Sequence, residues 1–524
     1  MATASDVNGV TSTEPVQLVE LRTSGTLRST FWGYLWDSAD LPSKERTLVA
    51  KVDASILIFA CLGYFCKNID QSNVNNAFLS GMKEDLNMYG NQLTYSSTLW
   101  TVGYIIGQIP AVLTLSRFSP GKVISILELG WGICTLATYS VKSYKALYGL
   151  RFLVGLFEAG FFPGIMMILG SWYLPSELAK RVGIFWASGI LGGMFSGFLQ
   201  TAAYENLTGK GGLAGWRWLF IIDSIITIPI AILAAFVLPE QPYNATPTFI
   251  LNQDDIDIAK DRLRRVKRKG AGKWTLMKIK GLATSWITYV MPLMYCFFLN
   301  GEIVQPMGYW LKSFNATPAP VPGVSFTVPQ INLLPLPYTA MFAVGLLSAS
   351  WISDGPLKGK RYPVIIFCGL YSMAFAIALR FLPTYTHRTA HFALYYLVGL
   401  GVGGGPSIFA WTNELCGNDF ESRSFTIALT NNLSYVMNAI APNFVWKTTA
   451  FPAAHKGLSY MAIMQGLLVV MVFIALFLQK RDEKLGFVRK GDLEGVDEVN
   501  SSIKSADGSV TEKQSHILEE EKMV

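Results

Sequence analysis

Twelve apolar runs alternate with polar stretches along the chain. Each is near the ~20 residues a helix needs to cross the roughly 30 Å hydrocarbon layer of a membrane. The first six lie near residues 52–72, 93–114, 122–140, 145–169, 182–203 and 217–238. The second six lie near 284–311, 331–352, 363–383, 391–413, 425–447 and 458–479. Runs of this length predict transmembrane helices, because a helix satisfies every backbone polar group within its own segment when no water is at hand. The pattern breaks once, between the two sets of six. Residues 239–283 open on Pro239-Glu240-Gln241-Pro242, a helix stop and turn. Acidic Asp254, Asp255 and Asp257 follow, then basic Lys260, Arg262, Arg264, Arg265, Lys267, Arg268 and Lys269. Acid first and base last complements a helix macrodipole. The segment therefore reads as a short amphipathic surface helix whose basic strip suits anionic lipid headgroups.

The resulting layout is a polar N-terminal tail (1–50), a six-helix bundle (51–240), the linker (241–283), a second six-helix bundle (284–480) and a polar tail (481–524) expected to be disordered. The N-terminal tail has no apolar core of signal-peptide length, so insertion starts from the first span and leaves that tail cytosolic. Ten Lys/Arg between 251 and 282 put the linker on the same side by the positive-inside rule. The sequons at Asn206 and Asn315 then fall in outer loops.

Composition narrows the function classes. Only 15% of residues are charged and 51% are hydrophobic, against about 25% charged in soluble domains. The net charge of +7 is spread between apolar runs, with no continuous basic face for nucleic acid. The six cysteines sit in apolar runs or at the end of one, without metal-ligand spacing, and the four histidines fall in loops or the tail. No metal, cofactor or catalytic constellation is expected, and the protein is not read as an enzyme.

Local motifs point to a family. Arg151-Phe-Leu-Val-Gly-Leu-Phe-Glu158-Ala-Gly-Phe-Phe-Pro163-Gly164, with Trp172-Tyr173 and Glu177, resembles the fourth span of the anion:cation symporter (allantoate permease) family within the major facilitator superfamily. Asp70-Gln-Ser-Asn73-Val-Asn-Asn76 resembles its span-one signature, Gly215-Trp-Arg-Trp-Leu-Phe-Ile-Ile-Asp223 its entry to span six, and Val328-Pro-Gln-Ile-Asn332 the approach to span eight. Trp411-Thr-Asn413-Glu414 with Arg423 resembles its end of span ten. Ser80-Gly-Met-Lys-Glu-Asp-Leu86, Phe195-Ser-Gly-Phe-Leu-Gln200 and Gly301-Glu302 resemble the fungal pantothenate permease branch. Two departures stand out. Gln71 occupies a position where many members carry Arg, and the loop Ser116–Lys122 lacks the acidic residue of the general facilitator motif. The resemblance implies an all-α fold of twelve transmembrane helices in two bundles, a plasma-membrane location and a monomer. It also implies proton-coupled uptake of a small organic anion such as pantothenate. Biotin, allantoate or another monocarboxylate, export by the same fold, or nutrient sensing without flux remain open alternatives.

An ionisable group inside a membrane costs about 2.5–3.5 kcal/mol on insertion scales and so marks a candidate site. Arg151 and Glu158, two helical turns apart, share a face: Arg151 suits a substrate carboxylate and Glu158 a proton, or the two belong to a structural charge network. Glu302, after Asn300-Gly301, is a further proton or substrate site, or a helix-end residue facing water. Lys67 and Asp70 are spaced to pair directly, as substrate contact and modulator or as an interfacial salt bridge. Asn73 and Asn431 are candidate substrate contacts. Asp354 with Lys358, Lys360 and Arg361 reads as a gate latch. The glycine runs at 189–193 and 399–405 read as helix packing and a kink near Pro406.

Overall fold

The computed structural model describes residue 36 and residues 41–485, apart from 90, 267, 269–274, 304–305, 316–317, 319, 327–329, 331–333, 417–418 and 447–451. Most of the N-terminal tail, the C-terminal tail and Asn332 lie outside the described residues.

The first bundle comprises α1 (Ser43–Ala77), α2 (Gln92–Arg117), α3 (Pro120–Thr138), α4 (Tyr144–Trp172), α5 (Pro175–Leu207) and α6 (Gly215–Val237). The linker holds α7 (Gln253–Arg265). The second bundle comprises α8 (Leu276–Thr284), α9 (Ile287–Asn300), α10 (Pro306–Ser313), α11 (Leu336–Asp354), α12 (Tyr362–Phe381), α13 (Arg388–Leu415), α14 (Phe420–Ile440) and α15 (His455–Lys484). Among the described residues ten helices are long and apolar enough to cross a membrane, or eleven if the bent pair α8–α9 counts as one span. The predicted span near 425–447 corresponds to α14, 21 residues long. It falls short in composition because Thr426, Thr430, Asn431, Asn432 and Ser434 face other protein rather than lipid along much of its length.

Three expectations need correcting. First, α1 begins at Ser43, well before residue 52, because Leu48 and Val49 are buried under the linker helix. Second, the run at 284–311 is not one continuous helix. It bends by 54° between α8 and α9, and the α9 helix then stops at Asn300. Gly301 fits there because a Cβ would stand 2.7 Å from the Gln465 amide nitrogen, which donates to the Gly301 carbonyl at 2.9 Å. Third, much of the basic face of α7 meets protein, not lipid. Arg262 pairs with Glu177 and Glu45, Arg265 reaches Glu45 at 2.8 Å, and Lys51 reaches Asp255 at 2.5 Å. The helix starts where expected, on a reciprocal cap between Asn252 and Asp255.

Two backbone crossings set the inner architecture. A methyl at Gly155 on α4 would stand 2.1 Å from the Trp100 carbonyl oxygen on α2, and one at Gly103 would stand 2.2 Å from the Phe152 carbonyl oxygen. Both obstacles are backbone, so neither can swing aside. Gly155→Ala is expected to cost about 1–3 kcal/mol through overpacking. The check is thermal unfolding of detergent-solubilised protein; an unchanged midpoint would mean that α2 and α4 have room to part.

The bundles meet unevenly. One apolar core cluster includes Tyr173 and Phe185 of the first bundle together with Phe409 and Ile427 of the second. At the ends away from the linker the cores are separate, around Trp216 in one bundle and around Trp310 in the other. The linker face is therefore where the bundles are sealed together. On the outside, Ile126, Phe198, Phe236, Phe367, Phe381 and Phe477 are exposed, an apolar belt that a water-soluble monomer would not carry.

Candidate functional site

Halfway along their helices, α1, α2, α4 and α14 bring polar side chains together in an otherwise apolar interior. Lys67 of α1 is 2% exposed. Its ammonium donates to the Tyr104 hydroxyl at 3.3 Å and lies 4.5 Å from that ring's centre. No carboxylate among the described residues comes within ion-pair distance of it. Asn431 of α14 donates to the same hydroxyl at 3.0 Å, so Tyr104 joins the two bundles. With two donors aimed at its oxygen, the tyrosine keeps its own proton to give away. Trp100 stacks on Tyr104 at 5.1 Å and Tyr435 closes on it at 4.8 Å.

The expected Lys67–Asp70 pair does not form. Asp70 accepts from Arg151 at 3.2 Å and from Thr135 at 3.0 Å. Arg151 thereby loses one edge of its fork to Asp70, while its Nε stays buried without a partner. Glu158 accepts from Gln71 at 3.1 Å and from Trp100 at 3.2 Å, and its other oxygen is buried and unpaired. The α4 helix breaks at Ala159-Gly160, immediately past that carboxylate. Gln71 thus supplies a neutral donor where an arginine would have neutralised Glu158.

Asn73 stands apart from this group. It donates to Asp223 at 2.8 Å and accepts from Ser196 at 2.7 Å, which commits both ends of its amide to fastening α1 to α5 and α6. Glu302 follows the end of α9, half-buried, with Tyr64, Tyr295 and Tyr338 in its electrostatic reach.

The linker face carries a charge cluster. Arg361 pairs with Asp354, reaches Glu414 at 2.7 Å and crosses to the Pro175 carbonyl at 2.5 Å. Asp354 also accepts from the Lys180 backbone at 2.8 Å near the start of α5, where helix N–H groups favour negative charge. Lys358, with φ of 52°, and Gly359, with φ of 81°, form the tight turn that folds Arg361 back on Asp354. Lys358 and Lys360 point into solvent and take no part in the cluster. On the first bundle, where the acidic loop residue is missing, Asp53 of α1 binds Arg181 at 2.8 Å and accepts from the Tyr173 hydroxyl at 2.6 Å.

At the opposite face Asn206 is exposed at the end of α5, and Asn315 is exposed but has its amide tied to the Phe326 backbone. Sequence reasoning missed Tyr104, which looks like any aromatic in an apolar helix. It also missed Glu128 of α3, 1% exposed with one oxygen unpartnered, although a carboxyl inside an apolar run is the kind of signal that singled out Glu158.

Comparison with known proteins fits this arrangement. Residues 60–442 match the Major Facilitator Superfamily. The chain belongs to that superfamily. It is 36% identical over 445 residues to a protein named pantothenate transporter liz1 from Schizosaccharomyces pombe, covering 84% of both chains. It is 32% identical to pantothenate transporter FEN2 of Saccharomyces cerevisiae, covering 87% of this chain and 89% of that one. The vitamin H transporter of the same yeast is 30% identical over 84% of this chain and 74% of its own. Among solved structures, the proton:xylose symporter XylE superposes with a TM-score of 0.62 at 16% identity, over 82% of this chain and 96% of that one. This facilitator is a multi-pass membrane transporter and not an enzyme.

Proposed function

We propose that this facilitator takes up pantothenate, or a similar small organic monocarboxylate, together with a proton, and that it does so at the plasma membrane as a monomer with both termini cytosolic. The observation that supports the reading best is Lys67, a buried ammonium with no carboxylate partner at the point where the bundles meet. An uncompensated buried cation is costly, and an anionic substrate would neutralise it. Arg151 has a free Nε and Tyr104 a free hydroxyl proton beside it, so a carboxylate arriving there meets three donors. The names of the relatives supply pantothenate as the specific substrate.

Glu158, Glu302 and Asp70 are assigned to proton coupling, since a carboxyl near the cavity loses its charge on protonation and changes which state of the carrier is favoured. Asp354 and Arg361 form the gate on the side read as cytosolic. The shared core on that face and the separate cores on the other support a reading of this conformation as open, or opening, to the outside.

Uptake of labelled pantothenate by yeast lacking its own permease tests the reading, at acidic and neutral external pH, with and without a protonophore. Saturable uptake that the protonophore suppresses is the expected result; its absence with the protein at the cell surface would sink the substrate. Glu302→Gln is expected to keep exchange of labelled for unlabelled substrate while losing protonophore-sensitive accumulation. Accumulation at the wild-type level would remove Glu302 from the coupling path.

A further inference from the structure

At the linker face, away from the central site, a narrow cleft opens where both bundles and the linker converge. Its walls include Ser171 from the end of α4, Gln241, Tyr243 and Arg268 from the linker, and Phe420 and Arg423 from the start of α14. Arg268 is 5% exposed and Arg423 is 2% exposed.

Among the described residues neither arginine has a carboxylate at ion-pair distance. Arg268 spends Nη1 on the Gly170 and Tyr173 carbonyls at the end of α4, and its Nη2 is buried without a partner. Arg423 donates Nη2 to the Ser171 hydroxyl at 2.9 Å and leaves its Nε buried without a partner. The carboxylates nearby are engaged elsewhere: Glu177 with Arg262, Glu414 with Arg361, and Asp419 and Glu421 with Lys278. Burial brings the Arg268 guanidinium down to about 10, a shift that the more distant Glu414 and Glu177 offset only in part. Two like charges so placed repel each other, and removing them from water costs more still.

We infer that this cleft is a binding site for a small oxyanion, of the inorganic phosphate type, that bridges Arg268 and Arg423. Guanidinium forks match tetrahedral oxyanions edge to edge, and Ser171, Gln241 and Tyr243 add neutral polar groups to the same walls. Because one arginine rides with the linker and the first bundle and the other with the second, an anion held by both favours the arrangement sealed on this face. A ligand shifts such an equilibrium by its differential affinity for the two states. Phosphate on the cytosolic side would then restrain opening toward the cytosol. The site lies apart from Lys67 and Arg151, so it stands or falls independently of the transported substrate.

Thermal unfolding of the purified full-length protein in detergent tests this with sodium phosphate, with sodium chloride at matched ionic strength, and with vesicles containing phosphatidic acid. The expected result is a midpoint that rises with the logarithm of phosphate concentration and responds little to chloride. In Arg268→Gln and Arg423→Gln the half-saturating phosphate should increase about tenfold or more. Arg264→Gln, at an exposed position paired with Asp261, should behave as wild type. Arg268→Lys, which keeps the charge and loses the fork, substitutes for any glutamine variant that does not accumulate. A phosphate response that is absent, that is equal in wild type and both cleft variants, or that appears only with phosphatidic acid overturns the proposal.

Discussion

Replacing Arg361 by glutamine is expected to destabilise the protein by about 3–5 kcal/mol, the usual cost of stranding buried charge. Three groups depend on that one guanidinium. Asp354 is 1% exposed and loses its ion pair with Arg361. Glu414 loses both of its donors. The Pro175 carbonyl loses the bond that ties α5 to the second bundle. Two measurements separate the consequences. The unfolding midpoint in detergent should fall by several degrees, and hydrogen exchange in the first turns of α5 should speed up as the linker face loosens. Arg361→Lys should recover only part of the loss, because a lysine supplies the charge but not the fork that spans Asp354 and Glu414. A variant with wild-type midpoint and wild-type exchange would show that this cluster does not hold the bundles together.

The second large effect runs the other way in stability. Lys67→Met removes a buried cation that has no carboxylate partner, so the folded protein should be at least as stable as wild type. Uptake efficiency should nevertheless fall about 10–100-fold, the equivalent of one lost charge-assisted hydrogen bond of about 1.5–3 kcal/mol. That opposition is the mark of a group kept for function at a cost in stability. Asp70→Asn gives the contrast. It leaves Arg151 buried with its ion pair gone, so stability and uptake should decline together. Uptake by Lys67→Met at the wild-type rate would move the anion contact away from Lys67 and dismiss the site as drawn.

Much of the fold was legible because lipid imposes a length and a polarity on each span. The same logic explains where legibility stopped. The α14 helix is polar for a span because Thr426, Thr430, Asn431 and Asn432 face protein, and hydropathy cannot distinguish a neighbour from water. The break after Asn300 was visible in Gly301, yet not its cause, since Gln465 lies far along the chain. Lys67 and Asp70 are spaced to pair, but Arg151 on α4 is the better partner for Asp70. Charge-bearing candidates could be picked out one by one from their cost in a membrane. Which of them meet is decided by helix crossings such as Gly103–Phe152 and Gly155–Trp100, and these leave no periodic trace. Tyr104, the hydroxyl on which both bundles converge, carries no charge and so gave no signal.

The linker's docking sets a limit on travel. Arg262 and Arg268 pin the chain to the first bundle, and Lys278 pins it again to Asp419 and Glu421 of the second. Between Arg268 and the start of α8 at Leu276 the chain has eight steps, which fully extended reach about 26–29 Å. The α7 helix is therefore cargo of the first bundle, and the length of this short strap bounds how far the bundles can part. Co-expressed half-molecules should accordingly reassemble when the chain is cut within the strap, and reassemble poorly when the cut is made before α7 and strands it on the wrong half.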